Sequence, residues 1–541
     1  MLSTTLKAQS LNPFNLGRAS ARNSLAAFAN GEILSARHLS NLVCGSNLRT
    51  NVINLQTGRN RGSVPITDLD LAATKPVFVP VLETAMHLQA SFRHNTGRSN
   101  GVKPEVMTQA LEDSREIIGE FFGIDPDRHV VIFRERTSIG MPGLIKIAAR
   151  DHNHMFLLSL ASHHSAQLPA RIEGRYQFFG LNPNGTYDMD DLETRLKAVS
   201  KYYHPYIVIE SETNMTGYKP PVAEVCALAE KYGAKVFIDH AQGAANHRLS
   251  LKDLPGDVFL AISGHKCYAI EGSGAVIGPA DFFKGVPEFA TGGTISAVTR
   301  EQMFFDRPPI NQEHGTQVYI AQISLGKALS LLMDAGMDNI EEIERQKTAK
   351  LIKGLRQVEG LEIIGEPDMD IADRGPVVTI SMKGAEDVWS DMPNCYIPPA
   401  FIGKALNAGW GIGTRVGYYC AHPYGYFLRK VPDDVALKHA LEHAAKGRAG
   451  CGLLSGDEWI YMTRFSFSFV TPDESLQRLP GILNKIRGLS YKNSVIKPDF
   501  ESGVWYVDGG QNDSKANAHS RFDLSVRGPY SEWARNILKD F

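Results

Sequence analysis

The run Val258-Phe259-Leu260-Ala261-Ile262, continued at once by Ser263-Gly264-His265-Lys266 and then by Gly272-Ser273-Gly274-Ala275-Val276-Ile277, decides the fold of this chain. Five apolar residues bounded by small and turn-forming ones read as a buried strand. The lysine then stands at the strand's mouth. With its pKa lowered from the free value of about 10.4, its amine can condense with an aldehyde as a Schiff base. Upstream, Val236-Phe237-Ile238-Asp239 ends a second apolar strand in a carboxylate, with Gln242 three residues on. A carboxylate in that place suits holding a pyridine nitrogen protonated, the condition under which pyridoxal phosphate acts as an electron sink. Singly, Lys266 reads as a surface lysine and Asp239 as a cap or turn residue. The pair, on neighbouring strands and in this order, points to the cofactor.

Outward from these strands the pattern alternates. Residues 105–122 carry Met107, Ala110, Leu111, Ser114, Ile118 and Phe121 on one helical face, with Gly123 as the stop. Apolar runs at 130–133, 155–159, 206–210 and 235–238 read as strands. Short helical patterns at 190–200 and 222–232 fall between them, and long ones at about 317–333 and 338–358 follow. Helices alternating with apolar strands imply an α/β fold whose mostly parallel sheet is covered on both faces. Three of these strand ends carry chemistry, and a fourth candidate lies in a later segment. Thr137 and Ser138 follow the 130–133 run, where a helix start can hold a phosphate on its backbone N–H groups or be a plain cap. His163 and His164 follow 155–159, Asn214 follows 206–210 in a turn ending at Gly217, and Arg464 lies in Met462-Thr-Arg464-Phe-Ser.

Asp239-His-Ala-Gln242 with Ser263-Gly-His265-Lys266 resembles the class V aminotransferase family of fold-type I pyridoxal-phosphate enzymes. The likeness runs from about residue 65 to 490 and is strongest to its SufS-like cysteine desulfurase and selenocysteine lyase branch. It implies a large cofactor domain with a mostly parallel sheet (65–335) and a smaller α+β C-terminal domain (336–495), flanked by extensions at 1–64 and 496–541. It implies that Lys266 holds the cofactor and then moves protons. Asp239 meets the ring nitrogen, Gln242 the ring oxygen, and Asn214 touches the ring. Thr137, Ser138, Ser263 and His265 hold the phosphate. His164 is expected to stack on the ring, because its five-residue spacing to Pro169 matches the family's His-His-Ala-Asn segment. Thr316, in Glu313-His-Gly315-Thr316, is expected to reach the phosphate of a neighbouring subunit, which implies a homodimer with shared sites. Arg464, with Arg415 nearby, would grip the substrate α-carboxylate. Cys420, in Arg415-Val-Gly-Tyr-Tyr-Cys420-Ala, matches the sulfur-accepting loop, with Tyr418 and Tyr419 where the family has histidines; such a thiolate is expected on a mobile loop and could pass sulfur to an acceptor protein. The function implied is desulfuration of L-cysteine or a related C–S or C–Se lyase reaction. Transamination, epimerisation and β-elimination remain open, as does a non-catalytic binding protein on the same fold.

The 541 residues allow two or three domains, and the formal charge of −2 gives no footprint for nucleic acid. No apolar stretch approaches the roughly 20 residues of a membrane span. Six cysteines (44, 226, 267, 395, 420 and 451) lack C-x-x-C spacing, which fits a reducing compartment and no metal site. The first acid is Glu32, after Lys7, Arg18 and Arg22. This start reads as a flexible extension or subunit arm of a cytoplasmic protein, or alternatively as a mitochondrial transit peptide. Around 431–457 the chain is longer than the compact branch requires, and the polar tail from about 495 lies outside the likeness; neither segment is given a role.

Overall fold

The computed structural model describes residues 43–97, 99–285, 287, 292–365, 373–446, 461–498 and 505–508. The acid-poor start, residues 509–541 of the polar tail and residues 447–457 of the long segment lie outside these. A seven-stranded sheet organises the larger body. From edge to edge its strands are His129–Arg134, Gly274–Pro279, Asp257–Ser263, Lys235–Asp239, His204–Glu210, His154–Ser159 and Tyr176–Phe179. All neighbours are parallel except those of Gly274–Pro279, which runs antiparallel to both of its partners. The α/β expectation with a mostly parallel sheet therefore holds.

The apolar runs are continuous because both faces of this sheet are covered. Ile207, Ile209, Val236, Ile238, Leu260 and Ile262 enter the core beneath helices Val102–Phe121 and Tyr319–Ala335. Val208, Phe237, Phe259 and Ala261 enter a second core under helix Thr137–Ala149. Full burial of each large side chain contributes roughly 1.5–3 kcal/mol. Gly123 lies just beyond helix Val102–Phe121 with φ +56°, the left-handed stop that a side chain resists.

The smaller body carries a four-stranded antiparallel sheet in the order Leu361–Ile363, Val377–Met382, Met462–Ser466, Arg415–Gly417. Helices Met337–Leu355, Pro399–Trp410 and Leu479–Arg487 cover it through Leu351, Phe401, Leu406 and Leu483. The hairpin Arg49–Ile53/Asn60–Pro65 and the pair Ile496–Pro498/Trp505–Val507 belong to this body as well. Leu55, Ile496, Trp505 and Val507 are part of its core. A Cβ on Gly409 would lie 3.2 Å from Leu55, so glycine lets the hairpin approach. The expected boundaries at 65 and 495 thus cut through packed structure. Residues 433–446 of the long segment form a helix. Among the described residues no helix is long and apolar enough to cross a membrane.

Candidate active site

Strands His154–Ser159, His204–Glu210, Lys235–Asp239 and Asp257–Ser263 are parallel, so their carboxyl ends open on one edge of the sheet, where α/β folds place ligands. A cavity of about 190 Å³ lies there. Thr137, Ser138, Asn214, Asp239, Gln242, Ser263, His265, Lys266, Arg415, Cys420 and Arg464 all line it. Residues spread over more than 300 positions of sequence are therefore brought to one pocket.

Lys266 closes the short turn Gly264–Lys266 directly after its strand. Loss of solvation lowers its amine's pKa, against the attraction of Asp239, and Arg464 and Arg415 push it the same way. A neutral amine is the nucleophilic form. Asp239, 6 % exposed, accepts from the Ala241 N–H at 3.0 Å and lies 3.4 Å from the Ser165 hydroxyl. Burial raises its pKa, while the Ala241 bond and the Lys266 charge hold it back. Gln242 is buried, and its Oε1 has no partner within the protein. Such an orphan acceptor fits a ligand that completes it. Helix Thr137–Ala149 begins at the pocket with no side-chain cap from Arg136. The Thr137 N–H donates to Ser263 Oγ at 2.9 Å, and that hydroxyl donates to Thr137 Oγ1 at 2.9 Å. A helix start flanked by Ser138, Ser263 and His265 is a ready anion site. Amine, carboxylate, orphan amide and anion cradle together fit pyridoxal phosphate.

One expected residue is displaced by one position. His164 does not line the pocket; His163 does. His163 is the N-cap of helix His164–Ile172, its Nδ1 accepting from the Ser165 N–H at 3.1 Å. Burial pushes its pKa down to about 3, with Lys266 adding to the effect, so the ring beside the amine is neutral. His164 opens the helix and turns the other way. Its ring stacks on His422 at 4.9 Å and 17°, with Nε2 3.2 Å from His422 Nδ1. The helix start separates the two: a cap residue faces the strand ends, while the next residue lies on the helix surface. Thr316 is exposed and lies outside this pocket.

Arg464 and Arg415 are opposite each other on antiparallel strands. Asp70 makes that like-charged pair tolerable, with Oδ1 2.5 Å from Arg464 Nη2 and Oδ2 4.0 Å from Arg415 Nη1. Arg464 is 2 % exposed, donates through Nη1 to the Asn214 carbonyl at 2.9 Å, and lies 4.7 Å over the Tyr419 ring. Its Nε has no partner within the protein. Cys420 is on a tight turn in which Tyr419 has φ +53° and Cys420 φ +60°. The Asn214 amide donates to the Tyr419 carbonyl at 2.6 Å, and the His164 N–H to the Cys420 carbonyl at 2.9 Å. Both carbonyls of the turn thus accept hydrogen bonds, and Asn214, which makes one of them, also lines the pocket.

Sequence reasoning passed over two acids. Glu210 and Glu212 line the pocket with exposures of 4 % and 1 %. Glu210 ends the strand Ile207-Val-Ile-Glu, the same signal that singled out Asp239, and it would have been found by applying that signal evenly. Tyr187 OH (2.8 Å), Ser162 Oγ (2.9 Å) and Ser159 Oγ (3.3 Å) donate to it. Burial raises its pKa to about 7 against those bonds. Glu212 accepts twice from the Asn246 amide at 3.1 Å, and Lys75 donates to the same Asn246 at 2.5 Å. Among the described residues no three His, Cys, Asp or Glu side chains are placed to hold a metal.

Comparison with known proteins gives the family. Residues 68–479 match the profile of the family described as Aminotransferase class-V. A probable cysteine desulfurase of Streptomyces coelicolor is 28% identical over 401 residues, covering 69% of this chain and 91% of its own. A cysteine desulfurase of Haloferax volcanii is 24% identical over 375 residues, covering 67% of this chain and 82% of its own. The solved apo structure of cysteine desulfurase from Thermococcus onnurineus superposes with a TM-score of 0.65 at 22% identity, covering 78% of this chain and 94% of that one.

Proposed function

The chain belongs to the class V aminotransferase family, and from that premise we propose that it is a pyridoxal-phosphate-dependent cysteine desulfurase, acting on L-cysteine or a closely related sulfur or selenium amino acid. The observation that carries this reading is the meeting of Lys266, Asp239, Arg464 and Cys420 around one pocket. Pyridoxal phosphate, when bound, supplies an electron sink for charge developing at the substrate Cα. The Lys266 amine would hold its aldehyde and, once displaced by substrate, carry the Cα proton. Asp239 would keep a proton on the ring nitrogen, Gln242 would meet the ring oxygen, and the neutral His163 would lie against the ring. Thr137, Ser138, Ser263 and His265 would hold the phosphate.

Arg464 would take the substrate carboxylate with Arg415 beside it, since a planar fork matches a carboxylate in two bonds. The partnerless Nε supports this role. The Cys420 thiolate would attack the substrate sulfur. A sulfur–sulfur bond forms, the carbon–sulfur bond breaks, its electron pair passes to carbon, and a proton completes alanine. The persulfide left on Cys420 then goes to an acceptor thiol or protein. Thr316, exposed and outside the lining of its own pocket, would serve the phosphate of a second subunit, so that the working form is a homodimer.

The test is turnover of L-cysteine by the cofactor-loaded protein, with alanine, sulfide and pyruvate measured. Equal alanine and sulfide, lost in both Lys266→Ala and Cys420→Ser, is the expected result. Pyruvate in place of alanine, with Cys420→Ser unimpaired, would replace desulfuration by β-elimination.

A further inference from the structure

Glu210 is a buried acid for which the mechanism above has no use. It is paired in register with Asp239 on the adjacent parallel strand, and both carboxyls line the pocket. One segment covers both: Ser162 donates to Glu210 at 2.9 Å, Ser165 is 3.4 Å from Asp239, and His163 stands between the two serines. Burial is what chiefly disfavours ionisation of Glu210, and the charge of Asp239 adds to it.

We propose that Glu210 is a second acid of the cofactor pocket, which holds a proton in the cofactor-free protein and releases it to solvent when a cationic ring settles on Asp239. The inference rests on the assignment of pyridoxal phosphate to this pocket. A cation on Asp239 offsets the share of the rise in the Glu210 pKa due to the Asp239 charge and adds its own attraction, and the three hydroxyls already aimed at Glu210 then stabilise its anion. The second negative charge in turn strengthens the hold on the ring nitrogen's proton. The other groups facing Glu210 do not compete for this proton. Burial pushes Tyr187 and Tyr424 well above the ordinary phenol value and Tyr218 to about 12, so all three stay neutral. Glu210 itself is raised to about 7, within the range where binding can be measured.

The sign follows from linkage. A proton released on binding makes binding tighten as pH rises. Cofactor dissociation constants of the wild type and Glu210→Gln should therefore diverge as pH is raised to about 7 and level off above it. The plateau should be about tenfold for each unit by which binding lowers the Glu210 pKa. Calorimetry in two buffers of different ionisation enthalpy should count fewer protons released by Glu210→Gln. Ser162→Ala, which keeps the acid and removes one of its donors, should move the wild-type window upward, and it serves if the glutamine variant folds poorly. A ratio of dissociation constants flat with pH, or equal proton counts, would overturn the proposal. Borohydride fixation of pyridoxal phosphate to Lys266 in the wild type separates the two levels. Without it the cofactor assignment falls, whereas with it and equal proton counts only the role of Glu210 falls.

Discussion

The side-chain amide of Asn214 donates to the backbone carbonyl of Tyr419 at 2.6 Å, and this bond ties the segment after strand His204–Glu210 to the turn that presents Cys420. Tyr419 and Cys420 both have left-handed backbones, a conformation that costs non-glycine residues on the order of 1–3 kcal/mol each. Neighbouring bonds must hold such a turn. The segment carrying Asn214 is itself fixed, because Gly217 has φ +73° and a Cβ there would lie 2.9 Å from the carbonyls of Gly375 and Val377. Asn214→Ala should therefore loosen the turn while leaving Lys266 and Asp239 intact. We expect about a tenfold to hundredfold loss in kcat for L-cysteine, in line with about 1–3 kcal/mol for an orphaned carbonyl. Cofactor absorbance should be retained, and the Cys420 alkylation rate should change.

The adjacent histidines offer a direct contrast. His163 is beside Lys266 and neutral, whereas His164 stacks on His422 outside the pocket. His163→Ala should weaken cofactor binding and shift the absorption of the bound cofactor. His164→Ala should leave both nearly unchanged and lower thermal stability modestly. The reverse result would return the ring-stacking role to His164.

Asp70 supports a third expectation. It neutralises the nearly fully buried Arg464, and a buried cation stripped of its partner costs about 3–5 kcal/mol. Asp70→Ala should lower stability on that scale in urea denaturation. Arg464→Lys keeps the charge but loses the fork. It should raise KM for L-cysteine at least about tenfold with a smaller change in kcat.

Why some of this was legible and some was not has a physical reason. Buried parallel strands must be apolar along their whole length, so Val236–Ile238 and Val258–Ile262 stood out, and the chemistry at their ends with them. The helix from Val102 to Phe121 was equally plain, because its buried face repeats at helical spacing. The hairpin at 49–65 was not. Its pattern is mostly exposed: Val52 and Leu55 are its buried residues, and Ile53 packs beside Leu55 against the core. The choice between His163 and His164 turned on where a helix starts, a boundary to which local sequence is nearly blind. The bond from Asn214 to Tyr419 spans 205 positions, and no local pattern encodes a contact at that distance.

Glu344 gives the last prediction, and its sign can be worked out fully. It lies on helix Met337–Leu355 at 2 % exposure, with Oε1 accepting the Phe469 N–H at 3.0 Å and Oε2 without a partner within the protein. Burial raises its pKa to about 8, Lys75 opposing and the charge of Glu212 adding to the rise. In the unfolded chain the same carboxyl ionises near the ordinary glutamate value of 4.5. Between these two values the folded protein binds a proton that the unfolded chain does not. Stability from this group is therefore complete below about 4.5 and is lost as pH rises toward about 8. Glu344→Gln imitates the protonated acid and cannot lose a proton. Any packing penalty it brings is the same at every pH. The melting temperature of the variant minus that of the wild type should thus climb from pH 5 to about pH 8 and flatten beyond, measured on the cofactor-free proteins in buffers of matched ionic strength. A difference that does not vary with pH would mean that Glu344 is ionised in the folded protein, with Lys75 as its counter-charge.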